Sequence, residues 1–247
     1  MPAARVVGRA VTRRTRTSGS PTRLSARPMP AGAGDTVAET GLIPLGLGDI
    51  RDGMLYVPET YRPGVPAPLS VKLHGAGGRA QGGLKPFLAR ADVAGLLLLG
   101  VDARGPTWDL IRGGYGVDVA FLDQALQLAF ARYTVDPGRV SLEGFSDGAS
   151  YALSLGLANG DLFSKIVAFS PGFLAPGRLQ GRPDILVSHG VHDRVLPIDR
   201  CSRRIVPELR VAGYSVDYRE FDGGHTVPGD IAAAAETWVT EPQGGES

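Results

Sequence analysis

Apolar residues fall in two alternating rhythms along this chain. Short, nearly continuous apolar runs recur at 54–57 (MLYV), 69–73 (LSVKL), 96–102 (LLLLGVD), 140–143 (VSLE), 165–169 (KIVAF) and 185–188 (ILVS). Runs of this length bounded by turn residues predict strands buried on both faces. The stretch 216–221 (VDYREF) alternates instead, as a strand with one wetter face does. Between the runs the period changes to that of a helix. At 117–133 the apolar positions are Val117, Phe121, Leu122, Ala125, Leu128 and Ala129. Helices are also predicted over 85–94, 149–158, 198–211 and 229–239. Four prolines (Pro58, Pro63, Pro66, Pro68) make 58–68 a loop. Strands alternating with helices over 69–240 predict an α/β fold, a mostly parallel sheet with helices on both faces.

Composition narrows this to one domain. The chain has 247 residues, 43% hydrophobic and 21% charged, which suits a single globular α/β unit with a large core. No internal repeat is visible. No run of 18 or more apolar residues exists, so no membrane span is expected. The net charge of +1 hides an asymmetry. Residues 1–34 hold seven arginines and no acid, so the remainder is net acidic and a nucleic-acid partner is not expected. The division expected is an Arg-rich disordered tail over 1–40 and one domain over 41–247. The tail's composition is similar to that of an organellar transit peptide. Its Arg13-Arg14 pair precedes no apolar segment of a secretory signal. The single cysteine, Cys201, allows no intrachain disulfide and points to a reducing, cytoplasmic setting.

The chemistry concentrates where predicted strands end. Gly144-Phe145-Ser146-Asp147-Gly148 lies between the run 140–143 and the helix 149–158. A Gly-x-Ser-x-Gly turn from strand to helix is a nucleophile elbow, sharp enough that the residues two before and two after the serine must pack closely. Such a turn presents the hydroxyl at the positive end of the helix dipole. The run 185–188 leads into His189-Gly190-Val191-His192-Asp193, and 216–221 leads into Asp222-Gly223-Gly224-His225. Ser146, Asp193 and His225 thus follow in the order Ser, Asp, His, each just past a predicted strand, where open parallel sheets place their sites. Asp184 precedes its strand and Asp217 lies within one. Asp222 adjoins the histidine loop and competes with Asp193, which is preferred because it follows a strand and a tight His-Gly turn. The run 69–73 ends in His74-Gly75-Ala76-Gly77-Gly78, a small-residue turn able to aim a backbone N–H at a substrate oxygen. The N–H of Asp147 would be the second such donor.

Together LHGAGG (73–78), GFSDGAS (144–150), SHGVHDRVLP (188–197) and FDGGHTVP (221–228) resemble the α/β-hydrolase superfamily over residues 50 to 240. The likeness is to the phospholipase/carboxylesterase (predicted esterase) group, near the acyl-protein thioesterases and the polyhydroxybutyrate-depolymerase-like esterases. It implies Ser146 as nucleophile, His225 as general base and acid, Asp193 as the orienting acid, and an oxyanion hole from the N–H groups of Ala76 and Asp147. It implies hydrolysis of carboxylic esters with small or medium acyl groups. A thioesterase using the same triad and a non-catalytic ligand-binding relative are the alternatives. This chain departs from the pattern in carrying Asp147, where the group often has Gln or His. A carboxylate there disfavours anionic substrates unless it turns away. Depolymerase-like secreted members carry cysteine pairs that are missing here, which suits an intracellular relative.

Trp108 and Tyr115, in the glycine-rich connection 103–116, and Tyr151 are candidates for the substrate pocket, weighed against plain core packing. His74 and His189 read as supporting residues rather than bases. The four histidines show no metal-site spacing, and no phosphate-binding glycine motif opens a helix. No metal and no cofactor are expected, and no lid domain is evident.

Overall fold

A computed structural model describes residues 22–30 and 39–241. Among them one sheet is built from β1 (Gly41–Pro44), β2 (Gly53–Val57), β3 (Ala67–Leu73), β4 (Leu97–Val101), β5 (Val135–Phe145), β6 (Lys165–Phe169), β7 (Asp184–Gly190) and β8 (Val216–Phe221). Their spatial order is β1-β2-β4-β3-β5-β6-β7-β8. β2 runs antiparallel to both its neighbours, and from β4 to β8 every pair is parallel. β3, β4 and β6 are buried along their whole length, as their unbroken apolar runs require. Edge strand β8 is half-buried nearly throughout, with Glu220 exposed, so the alternation in its sequence is not matched by an alternation in burial.

Helices α3 (Val117–Arg132), α4 (Asp147–Ala158) and α5 (Ser202–Val211) cover one face. There Leu122, Leu126, Leu155 and Val206 meet Val71 and Leu142 of the sheet. Helices α1 (Ala80–Leu84), α2 (Leu88–Ala94) and α6 (Gly229–Thr240) cover the other, where Leu84, Ala235 and Val239 pack on Leu98, Val167 and Leu186.

Several elements differ from the sequence expectation. The helix expected over 85–94 starts earlier and is broken. Pro86 has no N–H to continue α1, so Lys85–Phe87 tightens into a 3₁₀ turn before α2. The helix expected over 198–211 likewise opens as a separate 3₁₀ turn, Ile198–Arg200. Residues 22–30, placed within the disordered tail, are packed along α3 and α4. Leu24 and Ala26 are buried while Ser25 and Arg27 face outward, a period-two pattern that the density of arginines concealed. Asn159 accepts the N–H of Leu24 at 2.9 Å and donates to the carbonyl of Thr22 at 2.7 Å. The Ser25 and Ala26 amides donate to Asp123, and Arg23 and Arg27 both pair with Asp161. The rest of the expected tail, 1–21 and 31–38, lies outside the described residues.

Candidate active site

The elbow closes as its sequence requires. Ser146 has φ 57° and ψ −120°, a conformation rare for a residue with a Cβ, and hands the chain directly to α4. A Cβ on Gly144 would stand 2.2 Å from the carbonyl oxygen of Gly148, and one on Gly148 would stand 2.3 Å from that of Leu73. Neither position admits a side chain. The Ser146 N–H is tied to the Phe169 carbonyl at 2.9 Å.

The Asp193 and His225 loops are fastened to each other. Val191 N–H donates to Phe221 O and His192 N–H to Gly223 O, each at 2.9 Å. Gly190 permits this, because a Cβ there would lie 2.4 Å from the carbonyl oxygens of both Gly223 and Gly224. His225 then sits between its two partners. Its Nδ1 donates to Asp193 Oδ2 at 2.6 Å, and its Nε2 accepts from Ser146 Oγ at 2.8 Å. The other oxygen of Asp193 accepts the N–H groups of Val195 and Leu196, both at 2.8 Å. Burial alone would raise the Asp193 carboxyl, but these amides and His225 outweigh it and hold the carboxyl below its ordinary value. An anionic Asp193 fixes the imidazole as the tautomer whose Nε2 accepts a proton. The ring of His225 packs at 4.8 Å on that of Phe145.

Asp222 is drawn away from this group. Its side chain is 92% exposed and pairs with the equally peripheral His192 at 3.0 Å. His189 is buried beneath Asp193, 3.3 Å from Oδ2, with its ring nitrogens on Ser202 Oγ and the Leu196 carbonyl. Burial lowers its pKa, so it buttresses the loop as a neutral ring. His74 is neutral for the same reason. It accepts the Ala103 N–H at Nε2, which leaves Nδ1–H for the Gly75 carbonyl at 2.7 Å.

That bond steadies the turn 74–78, which lies against Ser146. A Cβ on Gly75 would be 3.3 Å from Ser146 Cβ. Gly77 and Gly78 spend their amides on Pro106 and Gly75, whereas the Ala76 N–H donates to no carbonyl among the described residues. The Asp147 N–H opens α4, where no preceding turn can accept it. The Asp147 carboxylate is held by Thr107, whose hydroxyl donates to Oδ2 at 2.6 Å.

The aromatic pocket candidates fall elsewhere. Trp108 and Tyr151 are fully buried, stacked at 5.0 Å, and bonded to the His74 carbonyl and Asp109 respectively. They brace the 102–118 connection. Half-buried Tyr115 donates to the Ala175 carbonyl. None of the three lines the cavity of about 540 Å³ beside the elbow, whose walls include Phe87, Phe145 and Phe169. The signal for these was the strand period, which puts Phe145 and Glu143 on one face of β5. Among the described residues no group of three or more His, Cys, Asp or Glu is placed to hold a metal, and no helix is long and apolar enough to cross a membrane.

No family model matches the chain. It is 28% identical over 187 residues to a curated protein of Nocardia uniformis subsp. tsuyamanensis named "Putative esterase NocK". That match takes in 69% of this chain but 48% of the other, so the chain spans about half the length of its curated relative. Among solved structures, esterase PE8 superposes with a TM-score of 0.60 at 24% identity, covering 76% of this chain and 97% of its own. An S-formylglutathione hydrolase from Agrobacterium tumefaciens gives 0.61 at 18%, covering 78% and 90%. Another, FrmB from Staphylococcus aureus, gives 0.64 at 15%, covering 83% and 100%. With its strand order, its two helical layers, its elbow and no large lid insertion, the chain has the α/β-hydrolase fold.

Proposed function

We infer that the protein is a serine hydrolase that cleaves carboxylic esters with small or medium acyl groups through an acyl-enzyme on Ser146. The observation that carries this reading is the unbroken chain of bonds from Ser146 Oγ through both nitrogens of His225 to Asp193. A serine hydroxyl is a weak nucleophile until a base takes its proton. His225 Nε2 removes that proton as Oγ attacks the carbonyl carbon. The carbonyl oxygen gains the negative charge, and the N–H groups of Ala76 and Asp147 receive it. As the intermediate collapses, the imidazolium returns the proton to the departing alkoxide. Water then enters and is deprotonated by His225, and the same steps release the carboxylic acid. Asp193 stays ionised throughout and stabilises the imidazolium.

The likeness of the four motifs supports, within this proposal, membership of the phospholipase/carboxylesterase group, and the single buried thiol, Cys201, suits a cytoplasmic setting. A fluorophosphonate probe and p-nitrophenyl acetate test the reading. Labelling and turnover in the wild type, both lost in Ser146→Ala, are expected. Absence of both in the wild type refutes it. An acyl-thioester assayed beside the ester tells the two acyl donors apart.

A further inference from the structure

The two amides assigned above to the oxyanion belong to segments far apart in the chain. Ala76 lies in the turn after β3, and Asp147 opens α4 after β5. Three consecutive residues of the 102–118 connection reach both. The Pro106 carbonyl accepts the N–H of Gly77 at 2.8 Å. The Trp108 indole donates to the His74 carbonyl at 2.9 Å. Between them, the Thr107 hydroxyl donates to Asp147 Oδ2 at 2.6 Å. The first two bonds hold the turn on either side of Ala76. The third holds the elbow residue whose N–H is the other donor.

The connection is braced well enough to act as a strut. Buried Asp118 accepts the amides of Arg104 and Asp109, and buried Asp109 accepts those of Gly116 and Asp118. The Tyr151 hydroxyl ties Asp109 to α4 at 2.9 Å. Charge adds to the importance of the Thr107 bond. Asp147 is half-buried, and no ion pair among the described residues includes it. A carboxylate on the residue after Ser146 opposes the negative charge that develops on the substrate oxygen. Stabilisation of that charge depends on dipoles and charges fixed in place before the reaction. A side chain freed from its partner samples other rotamers and spoils that order.

We propose that Thr107 is a positioning residue of the oxyanion hole, acting through its hydrogen bond to the Asp147 carboxylate. The bond joins the elbow to the strut that already carries the Ala76 turn, and it keeps the carboxylate in one place. The proposal rests on the esterase reading above and its two amide donors. Asp147 also stands in the first turn of α4, where the helix dipole favours a carboxylate. That role supports the helix and makes no use of Thr107.

The test follows p-nitrophenyl acetate hydrolysis by the full chain. Thr107→Val keeps the branched shape and removes the hydroxyl. It is expected to lower kcat and kcat/KM together by about tenfold with KM within about twofold, as loss of an interaction made only in the transition state does. Removing a whole oxyanion donor costs about 100- to 1000-fold, so a displaced one costs less. Thr107→Ser, which restores the hydroxyl, is expected to recover most of the loss. The decisive arm places Thr107→Val in an Asp147→Ala background. There it is expected to change kcat by less than about twofold, because no carboxylate is left to hold. A tenfold loss that persists in that background overturns the proposal, since Thr107 would then act through the connection alone. An unchanged kcat in Thr107→Val, a loss confined to KM, or no recovery in Thr107→Ser overturns it as well. If Ser146-dependent acetate hydrolysis continues in those cases, the esterase reading stands. If the wild type neither turns over acetate nor takes the fluorophosphonate, both fall together.

Discussion

Two buried polar trios hang from the same strand. Ser146, at the end of β5, joins His225 and Asp193 at the rim, and Glu143, three residues earlier, joins Lys72 and Glu236 inside. Each trio ties together three segments far apart in the chain. They are held differently. At the rim every bond is directional, both Asp193 oxygens are satisfied, and the His225 side chain keeps 15% of its surface exposed. Inside, attraction between unlike charges does most of the holding, and Glu236 Oε2 has no hydrogen-bond donor among the described residues. In the proposed mechanism the rim group moves a proton. The inner group keeps its charges out of water, so a mutation disturbs its balance easily.

This contrast predicts that rim substitutions cost rate and inner substitutions cost stability. Ser146→Ala is expected to lower kcat on the order of 10⁵- to 10⁶-fold, as loss of the nucleophile does in serine hydrolases generally. Its thermal midpoint should stay near the wild type. Asp193→Asn should cost about 10⁴-fold, because the amide favours the wrong imidazole tautomer. Asp222→Asn, at the exposed rival carboxylate, should leave kcat/KM within about twofold, since exposed pairs such as Asp222–His192 contribute little. Parallel kinetics of the three variants separate the two aspartates, and equal losses at Asp193 and Asp222 would break the assignment.

At the inner trio, Lys72→Met leaves two buried carboxylates without their cation. Urea unfolding should show a loss of about 3 to 5 kcal/mol. Replacing all three residues together, as Lys72→Met, Glu143→Leu and Glu236→Leu, should recover most of that loss, because hydrophobic replacement of whole buried ion groups is often neutral or better. If the single and triple variants are equally unstable, the trio is not a charge unit.

The two trios also differ in how plainly the sequence announced them. Ser146, Asp193 and His225 sit in turns with fixed glycines, because sharp turns past strand ends impose local rules that a sequence displays. The same ground, a place just after a strand, favours Asp193 over Asp222, and the structure puts Asp193, not Asp222, within bonding reach of His225. The inner residues were also in view, with Lys72 inside LSVKL and Glu143 inside VSLE. Their meaning lay in pairing between strands and with α6, which is tertiary information. A lysine and a glutamate in neighbouring buried strands is the signal that was there to read. Trp108 lies in the glycine-rich connection and Tyr151 in the helix after the elbow, and ring stacking and directed bonds turn both into the core. The strap at 22–30 is hard to read from sequence because charge density is a property of the whole tail, while its apolar alternation spans only a few residues.

The inner trio should also leave a mark on the pH dependence of stability. Burial, opposed in part by Lys72, pushes the Glu236 carboxyl up to about 7 from an ordinary value of 4.5. Between those values the folded state binds a proton that the unfolded state has released. Glu236 therefore supports the fold fully below about 4.5 and loses that support as pH rises through about 7. Glu236→Gln, which cannot ionise, should flatten this fall. Urea midpoints measured at pH 5 and pH 8 would show it, and an unchanged difference between the two pH values would mean that another group titrates.

The smallest effect is expected at a third ionic group, which tests whether burial is what distinguishes the first two. Asp161 pairs with Arg23 and Arg27 at 2.7 and 2.6 Å, as close as any contact in the rim trio, but all three side chains are about a third exposed. Its carboxyl is depressed by the hydrogen bond from Arg23, with that from Arg27 adding to it. The support it gives is fully present above the ordinary carboxylate range and is lost as pH falls below that range toward the depressed folded value. Solvent screens such pairs, so Asp161→Ala should cost only about 1 kcal/mol at neutral pH, and less in high salt. Buried Leu24 and the Asn159 bonds should keep the strap in place. A loss as large as that of Lys72→Met would show that close contact, rather than removal from water, sets the worth of these ionic groups.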